Sequence, residues 1–341
     1  MAPQSSKPQS PKPKAQSPKS RKPKAKSPMT VGLIGLGIMG SAMASSLLRA
    51  GYGYKVIGYD LLPARLQQHR RAGGQAASTC ADVAERADIV ITSLPSADAL
   101  LEVAFALSQS PKPRAQSPRA RIVIETSTLP IAVKEEARGR LAGAGVTLLD
   151  CPLSGTGAQA RTGDLVVYAS GNRAAYRRAV PVLEAFARAH YYVGAFGAGS
   201  KTKFVANLLV AIHNVASAEA LVLAMKAGLD PAMVLKVVTA GVGSSRVLEV
   251  RGPMIVKGDY SRATMKLDVW RKDMAIIADF AREVGCPTPL FAATAPIYQS
   301  AIATGRGAED TAAVTAVLER LAGVNRRDDV LASADSVNSS R

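Results

Sequence analysis

Cysteine, histidine and aromatic residues are scarce in this 341-residue chain, and acid is absent from two stretches of it. Three cysteines, Cys80, Cys151 and Cys286, are too few and too scattered for a disulfide framework or a zinc ligand set, which points to a reducing compartment and a cytoplasmic protein. His69, His190 and His213 lie too far apart to suggest a metal site, and none is expected. The single tryptophan, Trp270, and the tyrosines show no spacing suited to stacking nucleic-acid bases. No apolar stretch follows the basic N-terminus before Met29, so it does not read as a secretory signal. The most apolar long segment, 204–223, contains Asn207, His213, Asn214, Ser217 and Glu219, and this mixture predicts a buried helix rather than a membrane span.

What is abundant is local. Residues 1–28 hold eight Lys/Arg and no acid, and 108–121 hold four more and no acid, so most of the net charge of +17 belongs to these segments and about +5 remains elsewhere. The tail is Pro, Ser, Lys and Gln, with nothing apolar to offset the entropy of ordering, and is expected to be disordered. Its QSPKPKAQSPKS (9–20) is echoed as QSPKPRAQSPRA (109–120), which reads as a low-complexity surface loop inserted at 108–120. The end, 325–341, is polar and expected to fray.

Between these segments, short β-rich runs at 31–34, 55–59, 89–93, 121–125, 147–150 and 165–170 alternate with helical stretches. This alternation predicts an α/β domain, a parallel sheet with crossover helices, over 29–195. From about Gly199 strand signals stop, and long Ala/Leu/Val-rich stretches predict an all-helical domain over 196–324, opening with one long helix.

The sharpest motif follows the first strand. Gly35-Leu36-Gly37-Ile38-Met39-Gly40 is a G-x-G-x-x-G that opens a helix, where a tight turn lets pyrophosphate approach free N–H groups at the positive end of the helix dipole. The domain is therefore expected to be of the Rossmann type. The second strand ends at Asp60, an acid placed to accept a ribose 2′-hydroxyl of NAD and repel the 2′-phosphate of NADP. Arg65 nearby works against that preference, so NADP stays open. Asp60 reads alternatively as the cap of the next helix.

Four further blocks follow in order: Glu125-Thr-Ser-Thr-Leu-Pro130, Asp150-Cys-Pro-Leu-Ser-Gly-Thr156 running to Gly163, Gly197-Ala-Gly-Ser-Lys-Thr-Lys203 with Asn207, and Lys272-Asp273. With the glycine motif they resemble the β-hydroxyacid dehydrogenase family, of the 3-hydroxyisobutyrate dehydrogenase type, over residues 30–323. The resemblance implies a Rossmann domain followed by a helical one, and a dimer or tetramer built through the latter. It implies that Leu94, Pro95 and Thr128 line the nicotinamide side, and that Ser154, Gly155 and Thr156 hold the substrate carboxylate. It further implies that Lys203 is the catalytic acid/base, that Asn207 orients the substrate, and that Lys272 closes over the cofactor. Thr156, Gln159 and Ala206 depart from the family pattern beside the substrate, and Ala206 argues against decarboxylating chemistry. The blocks at 241–246 and 258–260 look closest to the branch acting on sugar acids such as L-threonate.

Independent chemistry runs the same way. As hydride leaves the carbinol carbon, a base must take the hydroxyl proton, and a desolvated lysine can do so. Lys203 and Asn207 are spaced i, i+4 and share a helix face. Ser154-Gly155, just past a strand, can form an anion nest or a plain turn. Lys203 alone also reads as a solvated lysine at a helix end, Lys272 as part of an ordinary charge run, and His213 as a core or interface residue. The function expected is NAD-dependent oxidation of a small β-hydroxyacid. The alternatives are reduction of a semialdehyde acid, of the tartronate or succinic type, and a nucleic-acid-associated protein whose Ser-Pro-Lys tail lies along phosphates. A merely solubilising tail outweighs the last.

Overall fold

The computed structural model describes residues 29–109 and 121–326. The basic tail 1–28, the insertion from 110 to 120 and the C-terminal 327–341 lie outside the described residues.

Among the described residues nine strands form one sheet: β1 (Thr30–Ile34), β2 (Lys55–Tyr59), β3 (Gln75–Ala76), β4 (Ile89–Thr92), β5 (Ile122–Glu125), β6 (Thr147–Asp150), β7 (Leu153–Ser154), β8 (Val166–Ser170) and β9 (Ala189–Gly194). Their order is β3-β2-β1-β4-β5-β6-β8-β7, with β9 beside β8. Helices α1 (Ile38–Arg49), α2 (Pro63–Arg71), α3 (Cys80–Arg86), α4 (Ala97–Gln109), α5 (Ile131–Gly143), α6 (Gly157–Thr162) and α7 (Arg173–Glu184) accompany the strands. Then come α8 (Ala198–Lys226), α9 (Pro231–Thr239), α10 (Arg246–Lys257), α11 (Leu267–Glu283), α12 (Pro289–Ala301) and α13 (Val314–Ala322). This is a Rossmann-like domain followed by a helical one.

The central strands β4 and β5 are buried end to end, as expected of strands covered on both faces. One face packs Leu33, Met43, Leu47 and Ile124, and the other Ile34, Val83, Leu100 and Val123. The sheet is not wholly parallel, contrary to the sequence expectation. Strands β3 through β6 pair in parallel, but β8 runs antiparallel to β6 and β7. The link from β6 to β8 holds only β7 and the six-residue α6, too little for a full covering helix, so β8 enters reversed. Two other details differ. Helix α4 runs on to Gln109, taking in the first residues assigned to the insertion. Arg326, expected to fray, donates to Val256 O at 3.0 Å and Ile255 O at 2.6 Å and ties the last of the described residues to α10.

Helix α8 joins the two halves. It has the length and hydropathy of a membrane span, yet its buried face carries Lys203, Asn207 and Asn214 and packs on the strand ends and on α10 to α13. The apolar core around it is built from Phe204, Ala211, Trp270, Phe291 and Tyr298. Asn214 donates to both Tyr298 Oη and Thr311 O at 2.9 Å, so its amide nitrogen is satisfied inside that core.

What seats α8 on the sheet is a buried charge network at the strand ends. Lys134, on α5 and fully buried, lies 2.6 Å from Glu125 Oε2 and 2.8 Å from Asp150 Oδ1, and donates to Ser127 O at 2.7 Å. Asp150 then accepts from Ser200 in the first turn of α8, from its N–H to Oδ2 and from its hydroxyl to Oδ1, both at 2.8 Å. Gly199 has to be glycine here, because a Cβ would sit 2.4 Å from Tyr168 O and 2.7 Å from Asp150 O. Burial alone would lower the pKa of Lys134, but the carboxylates of Asp150 and Glu125 outweigh it and the net shift is upward. Lys134→Met should therefore leave two buried carboxylates without their cation and cost about 3–5 kcal/mol of stability in denaturant unfolding. A loss under about 1 kcal/mol would show that the network is dispensable.

Candidate functional site

The glycine turn is tight and leaves open space at the start of α1. Gly35 has φ +91°, and a Cβ on it would lie 2.2 Å from Ser93 O, while a Cβ on Gly40 would lie 1.9 Å from Gly35 O. Both glycines are demanded by the turn itself. Gly37 is different: only Arg65 Nη1, at 4.0 Å, comes within reach of a Cβ there, so the space above the turn is open for a ligand. Gly37 caps α1 without any side-chain hydrogen bond, which leaves first-turn N–H groups facing that space. Leu36 is in the core and Ile38 is exposed, so their contribution to the turn is made through the backbone.

Asp60 ends up largely buried at the mouth of this turn. Its Oδ2 accepts from Leu36 N at 2.7 Å and from Arg65 Nη1 at 3.2 Å, and its Oδ1 accepts from Leu62 N at 2.9 Å. The carboxylate is thus both a brace for the glycine loop and the partner of Arg65.

Leu94 and Thr128, expected on the nicotinamide side, lie on neighbouring loops: Leu94 N donates to Ser127 Oγ at 2.8 Å, which holds the Leu94-Pro95 loop against the loop carrying Thr128. Ser127 N donates to Glu125 Oε1 at 2.8 Å, and Ser127 O receives Lys134, so both loops are anchored to the buried charge network. Lys272, on α11, donates to Thr128 O at 2.5 Å and pairs with Asp273 at 3.2 Å. It is a cross-domain clasp rather than part of a solvated charge run.

Lys203 and Asn207 both face inward from α8, 8% and 4% exposed. Asn207 Nδ2 donates to Asp273 Oδ2 at 3.1 Å, which fixes the amide orientation. Among the described residues Lys203 makes no ion pair. Burial lowers its pKa most, Asp273 opposes the shift and Lys272 adds to it, and the ammonium is brought down to about 8. Asp273, 5% exposed, has no role in the sequence reading beyond marking a family block. The available signal was an acid inside the apolar stripe Trp270, Met274, Ile277 and Ala281 of α11.

Ser154 ends β7, paired with Val166 of β8, and α8 packs against β6 to β9, which brings the Ser154 loop and the Lys203 helix to one end of the sheet. Gly155 has φ +133°, and a Cβ there would lie 2.6 Å from Leu165 Cδ2. The backbone N–H of Thr156 is already taken by Gln159 Oε1 at 3.0 Å, which leaves the Ser154 hydroxyl and the Gly155 backbone as the free polar groups of this turn. Gln159 Nε2 in turn donates to Asp164 at 3.2 Å, so the glutamine bridges the two ends of α6. Among the described residues no cluster of three or more His, Cys, Asp and Glu side chains is arranged for a metal ion. His213, expected in the core or at an interface, is half-buried on α8, its carbonyl accepting from Ser217 Oγ at 2.6 Å.

Comparison with known proteins identifies the family of this chain. Residues 30–194 match the family described as the NAD binding domain of 6-phosphogluconate dehydrogenase, and 197–318 match the NAD-binding family of NADP-dependent 3-hydroxyisobutyrate dehydrogenase. The chain is 38% identical to an L-threonate dehydrogenase of Cupriavidus necator over 80% of this chain and 90% of that protein. It is 30% identical to the mitochondrial 3-hydroxyisobutyrate dehydrogenase of mouse, over 77% of this chain and 79% of that one. Among solved structures it is similar to a 3-hydroxyisobutyrate dehydrogenase of Salmonella typhimurium, with a TM-score of 0.74 and 32% identity over 85% of this chain and 99% of that chain. Glycine turn, seated helix and buried lysine thus stand in a chain that belongs to the β-hydroxyacid dehydrogenase family and is an NAD(P)-dependent dehydrogenase.

Proposed function

We propose that this chain oxidises a small β-hydroxyacid of the sugar-acid type, with a four-carbon acid such as L-threonate as the first substrate to test. The observation that carries the reading is the buried amine of Lys203, brought to about 8 on a helix face shared with Asn207. Ser154 Oγ and Gly155 N bind the substrate carboxylate. Lys203 Nζ takes the proton from the substrate hydroxyl, and Asn207, its amide set by Asp273, orients that hydroxyl without competing for the proton. The open space over Gly37 and the uncapped start of α1 fit a pyrophosphate, between Gly35 and Gly40, with Asp60 towards the ribose and Leu94, Pro95 and Thr128 towards the other ring. Bound there, the nicotinamide supplies the hydride acceptor. Lys272 holds the helical domain closed over Thr128 and excludes water from the reacting atoms.

The same lysine also serves the reverse direction. With a pKa of about 8 it is mostly protonated at pH 7, the form that donates to a carbonyl oxygen, so reduction of a semialdehyde acid is the second reading. Three free cysteines support a reducing, cytoplasmic setting. Exposed Leu223, Leu229, Met233 and Val237 on α8, α9 and the turn between them support a homo-oligomer formed through the helical domain.

Turnover of L-threonate and of three-carbon hydroxyacids, followed by nicotinamide absorbance, tests the substrate class directly, and no turnover on any of them would remove it. Lys203→Ala should lower turnover by about 10²–10⁴-fold with dinucleotide affinity by calorimetry unchanged. Retained turnover would take Lys203 out of the mechanism. The oxidation rate should rise with pH and level off above about 8, while reduction falls through the same range. Because Asp273 raises the lysine pKa, Asp273→Asn should move that midpoint to lower pH, and an unmoved midpoint would assign it to another group. Light scattering should give at least twice the 35.5 kDa chain mass, and Val237→Asp should reduce it.

A further inference from the structure

We propose that Arg65 decides between NAD and NADP in this chain, and that its pairing with Asp60 lets the adenosine end accept a 2′-phosphate in spite of the acid at the end of β2. The inference rests on the reading of the glycine turn as a dinucleotide site and adds to it the residue that selects the cofactor.

An acid at this position ordinarily accepts a ribose 2′-hydroxyl and repels a 2′-phosphate. Here that acid is already committed. A carboxylate offers about four acceptor positions, and those of Asp60 receive Leu36 N at 2.7 Å, Arg65 Nη1 at 3.2 Å and Leu62 N at 2.9 Å. One position is left, on Oδ1, enough for a single hydroxyl. The negative charge is offset on the spot by the guanidinium and by two backbone N–H dipoles, so the repulsion that would exclude a phosphate is largely cancelled before any ligand arrives.

Arg65 is in the opposite situation. It directs only Nη1 at Asp60, and a guanidinium carries five N–H donors in a fork that matches phosphate geometry. Its side chain is 44% exposed, against 6% for Asp60, so it faces the ligand space while Asp60 faces the loop. Its Nη1 is also the nearest atom to a Cβ built on Gly37, which puts the guanidinium at the rim of the open turn. A 2′-phosphate beside Asp60 would take the free edge of the fork without breaking the brace between Asp60 and Leu36. Arg65 is in the first turn of α2, and the bend after β2 returns it to the carboxylate.

The test is calorimetric titration of the full-length protein with NAD and with NADP, for wild type, Arg65→Gln and Arg65→Lys. Wild type should bind both dinucleotides with dissociation constants within about tenfold of each other. Arg65→Gln should weaken NADP about tenfold or more, the loss of a charge-assisted hydrogen bond, and change NAD less than about threefold. Arg65→Lys, which keeps the charge and loses the fork, should fall between them. Arg65 is a surface side chain, and an unchanged thermal transition will confirm that the variants fold. NADP affinity untouched by Arg65→Gln, or NAD and NADP weakened equally, would overturn the assignment while leaving the dinucleotide site standing. Binding of neither dinucleotide by wild type would overturn the site and the assignment together.

Discussion

A buried lysine paired with two buried carboxylates is the constraint on which the geometry of this molecule depends. Lys134, Glu125 and Asp150 sit where β5 and β6 end, and together they carry one negative charge in excess. Such a charge is tolerated in a protein interior only where further donors meet it. They come from the first turn of α8, where Ser200 gives both its N–H and its hydroxyl to Asp150 and the positive end of the helix dipole points the same way. A helix of 29 residues is thereby fixed at one end to the sheet. Lys203 lies one turn further on.

Two buried lysines with opposite behaviour follow from this layout. Lys134 has carboxylates at 2.6 and 2.8 Å, stays charged and serves as an internal counter-ion. Lys203, buried on α8, has no carboxylate within ion-pair distance among the described residues and a second cation, Lys272, nearby. Desolvation then dominates and its proton becomes labile near neutral pH. The residue type is the same, and the number of close carboxylates separates a lysine that stays charged from one whose proton is more easily lost. Asp273 tunes the second case, near enough to moderate the shift and to hold Asn207, yet engaged with Lys272 instead of pairing Lys203.

The loops that would receive the cofactor hang from the same network. Ser127 is bound on three sides, its N–H by Glu125, its carbonyl by Lys134 and its hydroxyl by Leu94 N. One residue on, the carbonyl of Thr128 receives Lys272 from the helical domain. The Leu94 and Thr128 loops, the strand ends, the start of α8 and Lys272 therefore form one continuous set of short polar contacts, the kind of support that would hold reacting groups at a defined separation.

Much of this was legible in the sequence because it depends on local spacing. Buried strands such as 89–92 appear as unbroken apolar runs, the glycine motif is contiguous, and Lys203 and Asn207 are one helical turn apart. The two-residue strands β3 and β7 left no comparable mark, since pairing with neighbours and not composition makes them strands, and the six-residue β9 is only partly buried and lacks an unbroken apolar run. The antiparallel entry of β8 was equally hidden, because chain direction within a sheet depends on how the connection closes in space. What tertiary structure alone decided is which charges meet. Lys134 finds Asp150 across 16 positions, Asn207 finds Asp273 across 66, and Lys272 reaches Thr128 across 144. Residue types and local periodicity come with the chain, but a proton's affinity depends on distances of a few ångströms between groups far apart along it, and those distances exist only once the chain is packed.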